Sequence, residues 1–276
     1  MVIDSLKVKL FDFFCYKNVI IMMVIEMKVL ITGASSGIGR DMARVLSNKG
    51  FDLILVSRNK KELLKLKEEL NTNIEIIPMD LSNVDNCKNL YEQVKNSKID
   101  ILINNAGFGT IGAFRKTDMD KELSMIDLNI KCVHILTKLF LDDFIKRDSG
   151  YILNVSSASA FQPGPLMATY YSTKCYVYHL TLAIYEELRR MKSNVKISCL
   201  CPGPVNTNFN KVANCEFKLD ALSSKYVAKY AIDKLFKNKL LIIPGFKIKL
   251  LYIFGRFVPN KIKLKITYNI QHRKTK

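Results

Sequence analysis

The chain has 276 residues, 49% of them apolar, and a formal net charge of +18 at pH 7. This length and apolar content are typical of one α/β domain of roughly 250 residues with a sizeable core. The three histidines form no HxxxH pair and the seven cysteines no CxxC pair, which argues against a metal site. The odd number of cysteines predicts buried free thiols in a reducing compartment, so we expect a cytoplasmic protein.

The positive charge is concentrated at the C-terminal end. Residues 234–276 contain twelve Lys or Arg and no Asp or Glu, so they hold two thirds of the net charge. No recognised nucleic-acid-binding module accompanies these residues, and we therefore expect no nucleic-acid partner.

Residues 1–26 precede the first predicted strand of the domain. Their apolar run, residues 18–25, is too short to span a bilayer, which takes about 20 residues. Asp4 and Asp12 before this run, and the lack of a small-residue cleavage site after it, do not fit a secretory signal. We expect an N-terminal extension, either an upstream start or a loosely packed segment, with a peripheral anchor as the alternative.

From residue 28 onward, strand-like and helix-like segments alternate. Short continuous apolar runs predict strands buried on both faces, and amphipathic segments predict helices. The predicted strands are residues 28–32, 52–57, 74–79, 99–103, 151–155, 195–200 and 240–243. The predicted helices are residues 37–49, 60–70, 84–94, 126–146, 169–191 and 223–237. Because parallel neighbours need crossovers, this order predicts one doubly wound parallel seven-stranded sheet with helices on both faces, within a domain of residues 27–244.

A glycine-rich turn, TGASSGIG at residues 32–39, joins the first predicted strand to the first helix. Glycines permit a tight turn and a close approach of the backbone to a phosphate, and a helix N-terminus offers unpaired N–H groups to an anion. We therefore predict a dinucleotide site here, the alternative being an ordinary tight turn. The predicted cofactor contacts in the turn are Gly33, Ser35, Ser36, Gly37, Ile38 and Gly39.

The end of the second strand predicts which dinucleotide is bound. An acid about 20 residues after the glycines would hydrogen-bond the ribose 2′-hydroxyl. Here Ser57 and Arg58 stand at that place, and no acid follows before Glu62. Because guanidinium pairs well with phosphate, Ser57 and Arg58 favour NADP(H) over NAD(H), unless Arg58 is only a solvated turn residue.

Tyr170 and Lys174 lie four residues apart on a predicted helix, so they share one face of it. A phenol with an ordinary pKa of about 10 is a poor base near neutrality, and a nearby ammonium favours its phenolate form. Carbonyl reduction needs such a proton donor beside a nicotinamide. Tyr171, three residues from Lys174, also permits this contact.

The order and spacing of these features resembles the classical short-chain dehydrogenase/reductase family over residues 28–243. The resemblance rests on the glycine turn, Asp80, the NNAG sequence at 104–107, Asn129, Ser157, Tyr170-x-x-x-Lys174 and Pro202-Gly203. The family pattern places the serine thirteen positions before the tyrosine. Ser157 and Tyr170 meet this spacing, whereas pairs with Ser156 or Tyr171 miss it by one.

The resemblance implies a Rossmann-like fold and hydride transfer that interconverts a ketone or aldehyde and an alcohol. It implies that Tyr170 exchanges a proton with the substrate oxygen, that Ser157 binds this oxygen, and that Asn129 holds a water linking Lys174 to solvent. Lys174 would also hold the nicotinamide ribose. The implied cofactor contacts outside the glycine turn, Ser57 and Arg58 are Asp80, Leu81, Asn105, Ala106, Gly107, Tyr170, Lys174, Pro202, Gly203, Val205 and Thr207.

The expected substrate is lipophilic or acyl-type. Residues 161–168 and 206–223 should frame it, and their apolar side chains include Phe161, Leu166, Met167, Phe209 and Phe217. The family commonly forms dimers or tetramers through two long helices, which predicts a homo-oligomer here. The rival hypothesis is a catalytically silent NADP(H)-binding scaffold or sensor, although none of the reactive residues is missing. A sugar-nucleotide epimerase would need a longer C-terminal substrate domain.

Residues 245–276 form a basic amphipathic tail. Leu250, Leu251, Phe254, Phe257 and Val258 make an apolar stripe at helical spacing, and residues 261–266 then alternate charged and apolar side chains. Three alternatives stay open: the stripe packs on the domain or a sister subunit, it lies on an anionic membrane surface, or it receives a negatively charged substrate carrier.

Overall fold

The computed structural model of the protein describes residues 13–16, 19–22, 27–207 and 221–273. Its strands are β1 (Phe13–Tyr16), β2 (Val19–Met22), β3 (Lys28–Thr32), β4 (Asp52–Ser57), β5 (Ile74–Pro78), β6 (Ile99–Asn104), β7 (Tyr151–Val155), β8 (Lys196–Leu200), β9 (Val205–Asn206), β10 (Leu222–Ser223) and β11 (Leu241–Ile242). Its α-helices are α1 (Gly37–Ser47), α2 (Lys60–Glu69), α3 (Val84–Val94), α4 (Met119–Ile126), α5 (Val133–Lys146), α6 (Ala168–Arg190), α7 (Ser224–Leu235), α8 (Phe246–Gly255) and α9 (Asn260–His272).

Seven parallel strands form the central sheet, in the order β11-β8-β7-β6-β3-β4-β5. The chain first runs outward from β3 to β5 and then continues from β6 on the other side of β3. Such a reversal leaves a crevice at the carboxyl ends of the two central strands. The predicted doubly wound seven-stranded parallel sheet is therefore confirmed.

Each central strand contributes side chains to a core on both faces of the sheet. Val29 and Ile31 of β3 point into one cluster with side chains of α1, α2 and α7, whereas Leu30 points into the other, with side chains of α3, α5 and α6. This alternation follows from the two-residue period of a strand. Burial on both faces explains why these strands read as continuous apolar runs.

The predicted helix at residues 126–146 begins earlier in the structure. Asp118 caps α4 by accepting a hydrogen bond from the Lys121 amide, and a π-helical segment, Asp127–Cys132, then joins α4 to α5. Met125 is the side chain that α4 buries, so its sequence has no apolar periodicity to reveal it. A π-helical segment also shifts the helical register, which a period of 3.6 residues does not anticipate.

Two helices follow the last sheet strand. The predicted apolar stripe begins on α8, and the alternating residues 261–266 belong to α9. Among the described residues, no helix is long and apolar enough to cross a bilayer.

At the other end of the chain, β1 and β2 form a two-stranded antiparallel hairpin apart from the central sheet. The rest of residues 1–26 lies outside the described residues, so the role of the extension stays a prediction. Phe209 and Phe217 also lie outside them.

Candidate active site

A cavity of about 470 Å³ opens at the carboxyl edge of the central sheet. The segments that follow β3, β4, β5, β6, β7 and β8 all contribute to its wall. Every predicted cofactor contact lines it except Gly39, and Ser157 lines it as well. Gly39 lies behind the wall, where an added Cβ would come within 2.5 Å of the Gly33 carbonyl oxygen.

The glycine-rich turn forms the wall between β3 and α1. Gly33 has a φ of +66°, and a Cβ there would lie 2.8 Å from Ala106 Cα, so both its conformation and its surroundings require glycine. The Asn105 side-chain amide donates to the carbonyl oxygens of Thr32 and Gly33 at 3.0 and 3.1 Å. Asn105 therefore ties the end of β6 to the turn.

The N-terminus of α1 faces this cavity. Its capping residue, Ser36, makes no side-chain hydrogen bond to the helix, and the first turn contains no acidic residue. The N–H groups of a first helical turn have no partner within the helix and carry a partial positive charge. A turn in which Gly33 and Gly37 leave the backbone open, next to such a terminus, fits a dinucleotide phosphate.

Arg58 stands at the end of β4 in the cavity wall. Its Nη1 lies 3.7 Å from Asp80 Oδ2, and both side chains are largely exposed. Burial alone would raise the pKa of Asp80, but hydrogen bonds from the amide and hydroxyl of Ser82, together with Arg58, lower it. An exposed pair of this kind contributes about 0 to 1 kcal/mol, so an anion can compete for the guanidinium. Ser57 donates to the Ser35 hydroxyl at 2.7 Å and closes the same corner.

Tyr170 and Lys174 both line the cavity from α6, one helical turn apart. The Lys174 Nζ is buried and donates to the Val155 carbonyl oxygen of β7 at 3.0 Å. Burial lowers its pKa to about 8, opposed weakly by the thiols of Cys199 and Cys201. A Cβ on Gly107 would lie 3.3 Å from this Nζ, so glycine leaves room for the ammonium.

The two adjacent serines after β7 have different partners. The Ser156 hydroxyl is buried and donates to the Lys174 carbonyl oxygen at 2.7 Å, which fastens α6 to the sheet. The Ser157 Oγ lies at the cavity and accepts from the Ser159 amide at 3.1 Å. This acceptor role leaves the Ser157 hydroxyl proton able to donate to a ligand oxygen.

Tyr171 also reaches the cavity, but its hydroxyl is held by the C-terminal tail. Gln271 of α9 donates to it at 2.6 Å, and burial raises the pKa of Tyr171 in spite of this bond. A second bond runs from Gln162 to the Thr267 hydroxyl at 3.1 Å. Thr267 and Gln271 also line the cavity. These two residues were not identified from the sequence. The signal that could have found them is a pair of polar side chains one helical turn apart among regularly spaced isoleucines.

Asn129 lies in the π-helical segment and is fully buried behind the cavity wall. Its amide accepts from the Phe108 amide at 3.1 Å and donates to the Phe108 carbonyl oxygen at 2.9 Å and to Thr173 at 3.0 Å. Asn129 thus holds the segment after β6 against α6. Its expected link to Lys174 through a water stays a prediction.

The predicted apolar frame of the substrate is found in part. Met167 lines the cavity, and Ile248 and Leu251 of α8 and Ile270 of α9 join it there. Phe161 instead packs against Tyr178 and Tyr252, with ring centroids 5.6 and 4.7 Å away, and neither it nor Leu166 lines the cavity. Phe161 is drawn away because it completes a small core cluster under α8. No group of residues that could hold a metal occurs in the described part of the chain.

Comparison with known proteins gives a consistent result. The family described as short chain dehydrogenase matches residues 27–216. An uncharacterized oxidoreductase of Staphylococcus epidermidis is 34% identical over 185 residues, which cover 66% of this chain and 79% of that protein.

Two solved structures extend the likeness to the fold. A short-chain dehydrogenase from Sphingobium yanoikuyae in complex with NADPH has a TM-score of 0.76 at 26% identity and covers 84% of this chain and 93% of its own. A bulky-bulky ketone specific alcohol dehydrogenase from Comamonas testosteroni has a TM-score of 0.72 at 25% identity and covers 84% and 91%. Similar folds are recorded with NADPH and with NAD. The chain belongs to the short-chain dehydrogenase/reductase family of oxidoreductases.

Proposed function

We propose that the protein is an NADP(H)-dependent oxidoreductase that interconverts a ketone or aldehyde and an alcohol, with Tyr170 as the acid/base. The observation that carries this proposal is the arrangement on α6, where Tyr170 lines the cavity one turn before a buried Lys174. A catalytically silent scaffold would have no need of an ammonium kept in a buried site.

The chain's residues fit a nicotinamide dinucleotide. Gly33 and the N-terminus of α1 would cradle its phosphates, Asp80 would meet the adenine, and Thr207 the carboxamide. Arg58 and Ser57 would bind a 2′-phosphate, which is our reason for preferring NADP(H). When bound, the nicotinamide donates or accepts the hydride.

The protein's own contribution is proton transfer and orientation. Tyr170 would give its hydroxyl proton to the carbonyl oxygen during reduction and take it back during oxidation. The Ser157 hydroxyl would donate a hydrogen bond to the same oxygen. Lys174, held by the Val155 carbonyl, would favour the phenolate after proton release and bind the nicotinamide ribose.

The expected substrate has an apolar body, because Met167, Ile248, Leu251 and Ile270 surround the part of the cavity covered by the tail. We propose a homo-oligomer formed through α5 and α6 and a cytoplasmic location. We also propose that residues 245–276 make a peripheral contact with a membrane.

Replacing Tyr170 by Phe tests the proposed chemistry. We expect Tyr170→Phe to bind NADPH as the wild type does and to lose turnover by about a thousandfold, because the proton donor is removed and the ring is kept. Turnover is followed by NADPH absorbance with a panel of ketones, and NADPH binding by its fluorescence.

The matched control is Tyr171→Phe, whose hydroxyl bonds Gln271. This variant should retain turnover within about tenfold, since it loses a positioning contact. Full activity in Tyr170→Phe would reject Tyr170 as the acid/base. An inactive wild type that still binds NADPH would favour the scaffold hypothesis.

A further inference from the structure

The exposed surface of α8 and α9 is rich in large apolar side chains. We call this surface the outer tail face and define it by Leu250, Phe254, Phe257, Ile262, Ile266 and Ile270. Phe254 and Phe257 are 60% and 75% exposed. Large apolar side chains exposed together in one segment of a protein usually mark an interaction site.

The burial pattern of α9 is inverted. The two side chains that this helix buries are polar, Thr267 and Gln271, and both lie at the cavity. Its isoleucines at 262, 266 and 270 recur every four residues along one stripe and are 50%, 52% and 39% exposed. An amphipathic helix of a lone globular protein turns such a stripe inward. The stripe therefore indicates an apolar partner outside the domain.

The charges beside this face identify the partner. From Phe246 to Arg273 the sequence contains seven Lys or Arg and no Asp or Glu. A second copy of the same face would bring like charges together, which disfavours self-association. An anionic lipid surface accepts both features, because apolar side chains enter the acyl boundary while long cationic side chains reach the headgroups.

The outer tail face adjoins the cavity mouth. Leu251 and Ile270 line the cavity and are also 45% and 39% exposed. Ile248 and Met167 line the same cavity, so the tail side of the cavity offers apolar contacts to a molecule that enters from a bilayer.

We propose that the outer tail face docks on an anionic lipid bilayer and that the cavity takes an apolar, lipid-dissolved ketone or aldehyde, or the corresponding alcohol, from it. The docking surface is independent of the proposed enzymatic function, whereas the substrate class rests on it.

The test compares two double variants of the full chain. Phe254→Ser/Phe257→Ser removes apolar contacts from the outer tail face, and Leu64→Ser/Phe114→Ser removes exposed apolar side chains elsewhere. Each is sedimented with vesicles of phosphatidylcholine alone or with about 30% phosphatidylglycerol. We expect the wild type and the control to bind the anionic vesicles at least about tenfold more tightly than the neutral ones. The tail variant should bind the anionic vesicles at least about tenfold more weakly than the wild type.

Turnover separates docking from chemistry. With a long-chain ketone in anionic vesicles, the tail variant should lose rate by the same factor as binding, while its rate with a short water-soluble ketone stays within about twofold of wild type. Vesicle binding without turnover of either ketone would support docking and overturn the substrate class together with the proposed function.

Three results would overturn docking itself. The wild type could ignore anionic vesicles, or both double variants could bind them equally, which would place the contact in another part of the chain. Alternatively, the wild type could bind no vesicles while the tail variant sediments as a smaller species than the wild type. That result would make the face a contact between subunits.

Discussion

Lys174 is a buried cation whose partner is a neutral carbonyl oxygen of β7. This environment lowers its pKa to about 8, from an ordinary value near 10.4. The folded protein without cofactor therefore holds this proton less tightly than the unfolded chain. Below pH 8 the buried charge lowers the free energy of unfolding. This destabilisation is lost as the pH rises through the folded pKa and then the unfolded pKa of Lys174.

The Lys174→Met variant measures this cost. From about pH 7.5 to pH 10 we expect the free energy of unfolding of wild type, relative to the variant, to rise by roughly 2 kcal/mol. Urea denaturation at the two pH values gives the difference, and other titrating groups cancel between the two proteins. A difference that stays constant with pH would mean that Lys174 is not a desolvated cation.

Arg58 gives a second prediction at the scale of one side chain. We expect Arg58→Ala to weaken NADPH by about tenfold to a hundredfold and NADH by less than about threefold, because guanidinium binds the additional phosphate. Fluorescence titration with both cofactors checks the ratio. The variant also frees Asp80, so Asp80→Asn in the same background serves as a control for repulsion. Equal losses for both cofactors would show that Arg58 does not bind the phosphate.

At the scale of elements, a buried side-chain pair fastens α9 to α6. The Gln271–Tyr171 hydrogen bond connects residues that lie 100 positions apart, and both side chains line the cavity. The tail that reads as a basic appendage in the sequence is therefore part of the wall on the substrate side. Hydrogen bonds of Gln271 and Thr267 hold it there.

A double-mutant cycle tests this attachment. Gln271→Leu and Tyr171→Phe each remove one partner, and we expect a coupling energy of about 1 kcal/mol in the free energy of unfolding. We also expect Gln271→Leu to raise KM for an apolar ketone more than it lowers kcat, since Gln271 lines the cavity and donates to Tyr171, whereas the proposed proton transfer belongs to Tyr170. Additive effects on stability would contradict the contact between α9 and α6.

The sequence predicts the central elements well because each obeys one simple pattern. Strands such as β4 are buried on both faces and read as continuous apolar runs. The glycine-rich turn and the Tyr170–Lys174 pair could also be predicted from the sequence, because each depends on the spacing of nearby residues. The sequence does not predict the early start of α4, the π-helical segment or the hydrogen bonds of Gln271. These features depend on tertiary contacts, which produce no periodic pattern of apolar residues.

At the scale of the whole molecule, the two faces of the sheet are covered by different helices. On the side of α3, α5 and α6, the surface keeps exposed large apolar side chains, among them Leu123, Tyr176 and Tyr185. His134 of α5 bonds the Tyr176 hydroxyl at 2.7 Å, which holds this side chain in place on the surface. Exposed aromatic side chains held in position are typical of interface cores.

The homo-oligomer proposed above should depend on this surface. We expect Leu123→Asp/Tyr176→Asp to shift the protein to a smaller species in sedimentation velocity, because two charges per subunit would be buried without partners at the contact. Leu64→Asp on α2 is the control, since it places the same charge on the opposite face of the sheet, where no contact is proposed. NADPH binding should persist in the double variant, because the cofactor cavity is built within one chain. A wild type that sediments as a monomer, or a double variant of unchanged size, would refute the interface through α5 and α6 and leave the exposed aromatic side chains of this face unexplained.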